Sequence, residues 1–180
     1  MRTKNTNSKK YYITTNSRKN IFSALHNCVN SKSAGANAVL VNICSIDTPS
    51  INAFSKEIHD KYPQALISRE VLGKIPLGKI QPIYVFKDKE YDHKLYVVNF
   101  YCCLGKKTQN NNRIINYYAL ARCFHQLSIF IQDNVNSTES NKTKIFLDKK
   151  SLAYTGCNWS FIDYLIEDVI PNIEIEIYDK

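Results

Sequence analysis

A chain of 180 residues with 24 Lys+Arg against 16 Asp+Glu, a formal net charge of +8, has the length of one domain with a sizeable core. Its 44% hydrophobic and 22% charged residues exclude an intrinsically disordered chain, and 5 Gly with 5 Pro exclude a collagenous or proline-rich one. No run approaches the ~18 apolar residues of a membrane helix, and the basic start is not followed by the apolar stretch of a secretory signal. The expected compartment is therefore the cytoplasm, with no membrane partner.

The charge is uneven. Arg2, Lys4, Lys9, Lys10, Arg18, Lys19 and Lys32 precede the first acid, Asp47, whereas Asp163, Glu167, Asp168, Glu174, Glu176 and Asp179 crowd the C-terminus. Residues 1–10 read as a basic tail before a single domain over residues 11–180. Nucleic acid is a possible partner through the basic N-terminal third. Asn, Ile and Lys make up about a third of the chain, and such a bias raises basicity by itself. None of the 6 Cys stands in a Cys-x-x-Cys pair, and adjacent Cys102 and Cys103 chelate one tetrahedral metal poorly. They read as reduced thiols, with no metal and no cofactor implied.

In chain order, Tyr11–Thr15 has strand composition. Asn16 or Ser17 is placed to cap a helix that carries Ile21, Phe22, Leu25 and Val29 on one face. Ala38–Cys44 is an apolar run of the kind found in parallel strands buried on both faces. Ile51, Phe54, Ile58 and Tyr62 follow at helical spacing, and Pro63 ends the helix. Val71–Lys79 reads as a loop. Ile83–Phe86 and Leu95–Tyr101 read as a strand pair joined by a charged turn. A polar loop, Gly105–Asn112, leads to a helix over Ile114–Ile131, where Ile115, Ala119, Cys123, Leu127 and Ile131 recur every four residues. Gln132–Asn141 reads as a solvated connector, Lys144–Leu147 as a strand and Ser151–Asn158 as a loop. Trp159–Ile170 reads as a helix with Phe161, Tyr164, Leu165 and Val169 inward, and Ile173–Tyr178 alternates as a half-exposed strand. The order β-α-β-α-β-β-α-β-α-β predicts an α/β layered fold around a mostly parallel sheet. Ligands of such sheets bind beyond the carboxyl ends of the strands, here the loops after Cys44, Tyr101 and Leu147.

Five stretches resemble the macro domain, the ADP-ribose-binding fold, in its phage and bacterial branch. Lys56–Ala65 is similar to the helix end with its aromatic-Pro pair. Pro76-Leu77-Gly78-Lys79-Ile80-Gln81 resembles a Leu-Gly-x-(Val/Ile)-Gln lead-in, and Leu95–Phe100 a Tyr-Val-Ala-Asn-Met strand. Ile115–Leu120 resembles an Ile-Arg-Tyr-x-Ala-Leu helix opening. Gly156-Cys157-Asn158-Trp159 resembles the last ligand loop, which ends in Trp. The resemblance covers roughly residues 38–180. It implies a three-layer α/β/α fold with a mixed, mostly parallel sheet of about six strands. It also implies ADP-ribose or a related nucleotide as partner and, for a phage-encoded chain, the host cytoplasm.

The same resemblance locates the ligand loops and shows them altered. The two glycines of the first phosphate loop fall on Ile51 and Ala53, flanking Asn52, and the family's Asn before that loop falls near Ser45, with Asp47 close by. The second loop is shortened to Thr155, Gly156, Cys157 and Asn158. The Asp that contacts adenine after the first strand has no evident counterpart at Thr15-Asn16-Ser17. A catalytic Lys of one branch falls near Cys102, with Lys106 and Lys107 nearby. Asn99 is placed to orient a ribose hydroxyl or to satisfy backbone, and Tyr101 to stack on a base or to pack. Three functions stay open: a nucleotide binder with altered loops, a hydrolase of ADP-ribosyl groups or ADP-ribose phosphate, and a macro fold reused for protein or nucleic-acid contact. For hydrolysis, Asp47 is the candidate base. Cys157 is the candidate nucleophile, because a thiolate just before a helix is stabilised there.

Overall fold

The computed structural model describes residues 13–16, 20–31, 35–48, 51–66, 73–90, 92–135, 142–170 and 173–179. The tail expected over residues 1–10 lies outside them, as do Tyr11, Tyr12 and Ser17. The elements run β1 (Ile13–Asn16), α1 (Ile21–Val29), β2 (Asn37–Ser45) and α2 (Ala53–Lys61), with a single 3₁₀ turn at Pro63–Ala65. Then come β3 (Ile80–Lys87), β4 (Lys94–Cys103), α3 (Tyr117–Phe130) with a π turn at Ile131–Val135, β5 (Thr143–Asp148), α4 (Lys149–Tyr154), α5 (Trp159–Val169) and β6 (Glu174–Tyr178).

One sheet of six strands holds them in the order β1-β6-β5-β2-β4-β3. Every neighbouring pair is parallel except the β3–β4 hairpin. The apolar run of β2 accounts for its place at the centre: all nine residues are buried, and the strand pairs with both β4 and β5. Its alternate side chains feed two cores. Val39, Val41 and Ile43 join Phe100, Leu120, Phe124, Leu127 and Ile166 under α3 and α5. Ala38 and Leu40 join Phe22, Leu25, Ile58, Val97 and Phe146 under α1 and α2. Two helical layers therefore enclose the sheet, as the resemblance implied.

Among the described residues, an Asx side chain starts each of α1 to α5. Asn20, Asn52, Asn116, Asp148 and Asn158 each accept a hydrogen bond from an amide in the first turn of α1 to α5. A short side-chain oxygen satisfies amides that have no partner inside the helix.

Several sequence expectations change. The cap of α1 is Asn20, not Asn16, which belongs to β1, nor Ser17. The third helix begins at Tyr117. Ile114 and Ile115 precede it, and Ile115 bridges Cys103 in extended conformation. The first part of the expected connector, residues 132–135, joins Ile131 in a π turn with Val135 buried. Within Ser151–Asn158 the chain is partly helical, because Asp148 caps a short α4. On α5 the inward residues are Ile162, Leu165 and Ile166, whereas Tyr164 is 73% exposed and Phe161 38%. Pro63 does end α2, then opens the 3₁₀ turn.

Candidate functional site

Parallel strands place their carboxyl ends on one edge, and the first turns of the helices that follow meet there. On the α1/α2 side this edge opens into a cavity of about 520 Å³. Asn20, Ile21 and Phe22 enter it from the start of α1, Asn52, Ala53, Phe54 and Glu57 from α2, Asp148, Lys150, Ser151 and Tyr154 from α4, and Tyr178 from the end of β6. Such a volume is within the ~300–1,000 Å³ of small-molecule sites.

Four of its twelve lining residues are aromatic: Phe22, Phe54, Tyr154 and Tyr178. The Phe22 and Phe54 rings lie 5.8 Å apart, and Tyr178 stacks on Phe146 with centroids 6.1 Å apart. The α2 and α4 walls are tied by Asn52, whose Nδ2 donates to Ser151 Oγ at 2.8 Å while its Oδ1 accepts from the Ser55 amide. Asp148 Oδ2 accepts from the Ser151 amide at 2.6 Å. Burial raises the Asp148 pKa, opposed by that hydrogen bond. Two carboxyl groups, Glu57 and Asp148, and one ammonium, Lys150, line it. These side chains thus suit hydroxyl and amine hydrogens, which leaves an anion to the backbone amides of the first turn of α2.

The expected site residues divide. Asn52 and Ala53 line the cavity. Ile51 does not: it is 7% exposed and belongs to the apolar core under α3 and α5. An Ile where the family has Gly therefore anchors the loop after β2 by burial.

The remaining residues form a second half of the same edge, closed in that its loops hydrogen-bond to one another, with Asp47 and Asn158 still exposed. Ser45 is fully buried and its Oγ accepts from the Asp47 amide. Asp47 Oδ2 accepts from the Gly105 amide at 2.7 Å, pinning the loop after β4 to the loop after β2. Leu104 donates to the carbonyl of Ile114, and the amides of Ile114 and Ile115 donate to the carbonyl of Thr155. Thr155 is fully buried, with Oγ1 donating to Leu152 O. At Gly156, φ is +79° and a Cβ would lie 2.6 Å from Asn112 O, so only glycine fits the approach. Asn158 caps α5, and its amide donates to Tyr117 Oη at 2.7 Å.

Asn99 and Tyr101 lie beneath, both fully buried. Asn42 Nδ2 donates to Asn99 Oδ1, and Asn99 Nδ2 donates to Ala65 O and Gln81 Oε1. Tyr101 Oη donates to the same Gln81 oxygen at 2.6 Å. Ser55 Oγ donates to Asn42 Oδ1, and His59 Nε2 lies 3.5 Å from Asn42 Nδ2. The roles of ribose contact for Asn99 and base stacking for Tyr101 are therefore corrected to internal ones. Asn99 satisfies backbone, and Tyr101 is sealed in with its hydroxyl pKa raised by burial.

Cys157 is half-buried, and burial pushes its thiol up to about 11. The expected thiolate is not the form present near neutral pH. The other five cysteines are buried. Among the described residues no three His, Cys, Asp or Glu side chains converge in a way that would hold a metal ion, and no helix is long and apolar enough to cross a membrane.

Sequence reasoning missed Asn20, Phe22, Phe54, Glu57, Asp148, Lys150, Ser151, Tyr154 and Tyr178. One signal was present: Asp148, three residues before Ser151 and directly after an apolar strand, has the spacing of a helix cap.

No family model and no curated protein matches the chain. Solved structures do. A macrodomain protein from Streptomyces coelicolor matches 95% of this chain and 99% of its own at 14% identity, TM-score 0.58. The macrodomain of Mycobacterium tuberculosis DarG matches 95% and 99% at 13%, TM-score 0.56. A Bacteroides thetaiotaomicron protein of unknown function matches 97% and 100% at 16%, TM-score 0.61. With two helical layers on a mixed, mostly parallel sheet, the chain has the macrodomain fold.

Proposed function

We propose that the protein binds ADP-ribose or a related adenine nucleotide, with the nucleoside end in the aromatic cavity. The observation that carries this reading is the cavity itself. It opens at the carboxyl edge of the parallel strands, is walled by Phe22, Phe54, Tyr154 and Tyr178, and is furnished with Asn52, Glu57, Asp148 and Ser151. Rings supply stacking area for a flat base. Carboxylates accept from ribose hydroxyls and from an exocyclic amine. The first turn of α2, at Ala53 and Phe54, has amides without helical acceptors and a partial positive charge, the environment a phosphate seeks.

The reading is one of binding. Asp47 holds Gly105 and Cys157 is kept as a thiol, so neither residue expected to carry hydrolysis is poised for it. Titration calorimetry with ADP-ribose, AMP and adenosine tests the proposal. ADP-ribose should bind in the micromolar range, adenosine should retain part of that affinity, and Tyr154→Ala should weaken both about tenfold, the scale of one lost aromatic contact. No heat from any of the three at high micromolar concentration would sink it.

A further inference from the structure

Between Asp92 and Asp133 the sequence contains no Asp or Glu, yet it carries Lys106, Lys107, Arg113 and Arg122. The fold lays three of these cations, Lys107, Arg113 and Arg122, against aromatic rings on the closed half of the edge. Lys107 Nζ stands 5.2 Å from the Tyr154 ring centroid, Arg113 Cζ 4.8 Å from Tyr117, and Arg122 Cζ 5.8 Å from Tyr118. The Tyr117 ring meets Phe161 at 4.5 Å. Three of the rings are open to solvent: Tyr118 at 74%, Tyr154 and Phe161 at 38%. Among the described residues none of these four cations makes an ion pair. On α5, Asp163 interacts with Trp159 and Lys149.

Exposed rings interleaved with unpaired cations have a specific complement: a polyanion that offers flat faces. We propose that this rim docks single-stranded nucleic acid, with Lys106, Lys107 and Arg113 on the phosphates and Tyr118, Tyr154 and Phe161 under the bases. A duplex keeps its bases stacked on one another, so it offers the cations a partner and the rings none. The rim uses none of the cations of the basic N-terminal third, and it does not depend on a nucleotide in the cavity, although Tyr154 borders both.

The test is fluorescence anisotropy with an end-labelled 16-nucleotide DNA strand, the same sequence as RNA, and the DNA duplex, across salt concentrations. Single strands should bind more tightly than the duplex, with affinity falling steeply as salt rises, and the DNA and RNA arms show which sugar is preferred. Lys106→Ala with Lys107→Ala should weaken single-strand binding at least tenfold and reduce the salt slope by about 1.4, two released counterions at ~0.7 each. Tyr118→Ala, at a residue too exposed to be needed for folding, should cost about tenfold with the slope unchanged, the scale of one lost base stack. Lys89→Ala with Lys142→Ala removes equal charge at the opposite end of the sheet and should change affinity less than twofold. An equal loss in that control, a duplex bound as tightly as the single strand, the absence of binding at low salt, or loss only on deletion of residues 1–10 would overturn the proposal.

Discussion

The two halves of the carboxyl edge use the same residue types for opposite ends. On the α1/α2 side, Asn52 and Asp148 cap helices and the space between them stays open. On the α3/α5 side, Asp47 accepts from the Gly105 amide, the Thr155 carbonyl accepts from the amides of Ile114 and Ile115, and the Asn158 amide donates to Tyr117 Oη, and these contacts join the loops directly. Both halves are rich in Asx and hydroxyl groups. What separates them is whether the polar atoms meet backbone from another loop. A polar residue at a ligand-loop position is therefore no evidence of a ligand contact until its partners are known.

If the closed half is structural, its residues should matter for stability first. The largest effect is expected at Gly156. Alanine there meets Asn112 O and a left-handed backbone, and should cost about 3 kcal/mol in urea unfolding. A Gly156→Ala variant as stable as the wild type would show the loops are not locked together. Next is Cys157. With its thiol pushed up to about 11 against an ordinary 9.0, alkylation by iodoacetamide at pH 7.5 should run about a hundredfold slower than for a free thiol. A fast rate would restore Cys157 as a nucleophile. Asn99→Leu strands the Ala65 carbonyl and Asn42 Nδ2, and should cost about 2 kcal/mol. The smallest effect is a pH dependence. Burial lowers the His59 pKa below its ordinary 6.5, so the unfolded chain takes the proton first. Stability should fall as pH drops below about 6.5, and His59→Gln should flatten that decline. An unchanged profile would remove His59 from the buried network.

The fold was legible where a pattern repeats. The uninterrupted apolar run Ala38–Cys44 and the four-residue spacing Ala119, Cys123, Leu127 locate the central strand and the long helix, because burial on two faces or on one leaves such periods. Helix α4 was not legible. Six residues, Lys149–Tyr154, are too few for a period to show, and its start depends on one cap. The site was legible only at Asn52 and Ala53. Asn99 is internal because Asn42, 57 residues earlier, lies opposite it on the neighbouring strand. The cavity collects residues from four separate elements, and no local spacing announces that convergence.

The central claim is that the open half is where a nucleotide goes. Amide chemical-shift mapping of the isotope-labelled protein during titration with ADP-ribose tests it most directly. The account predicts shifts clustered at Phe22, Ala53, Phe54, Ser151 and Tyr154. Shifts confined to Gly105 and Gly156–Asn158, with the cavity amides unmoved, would contradict it.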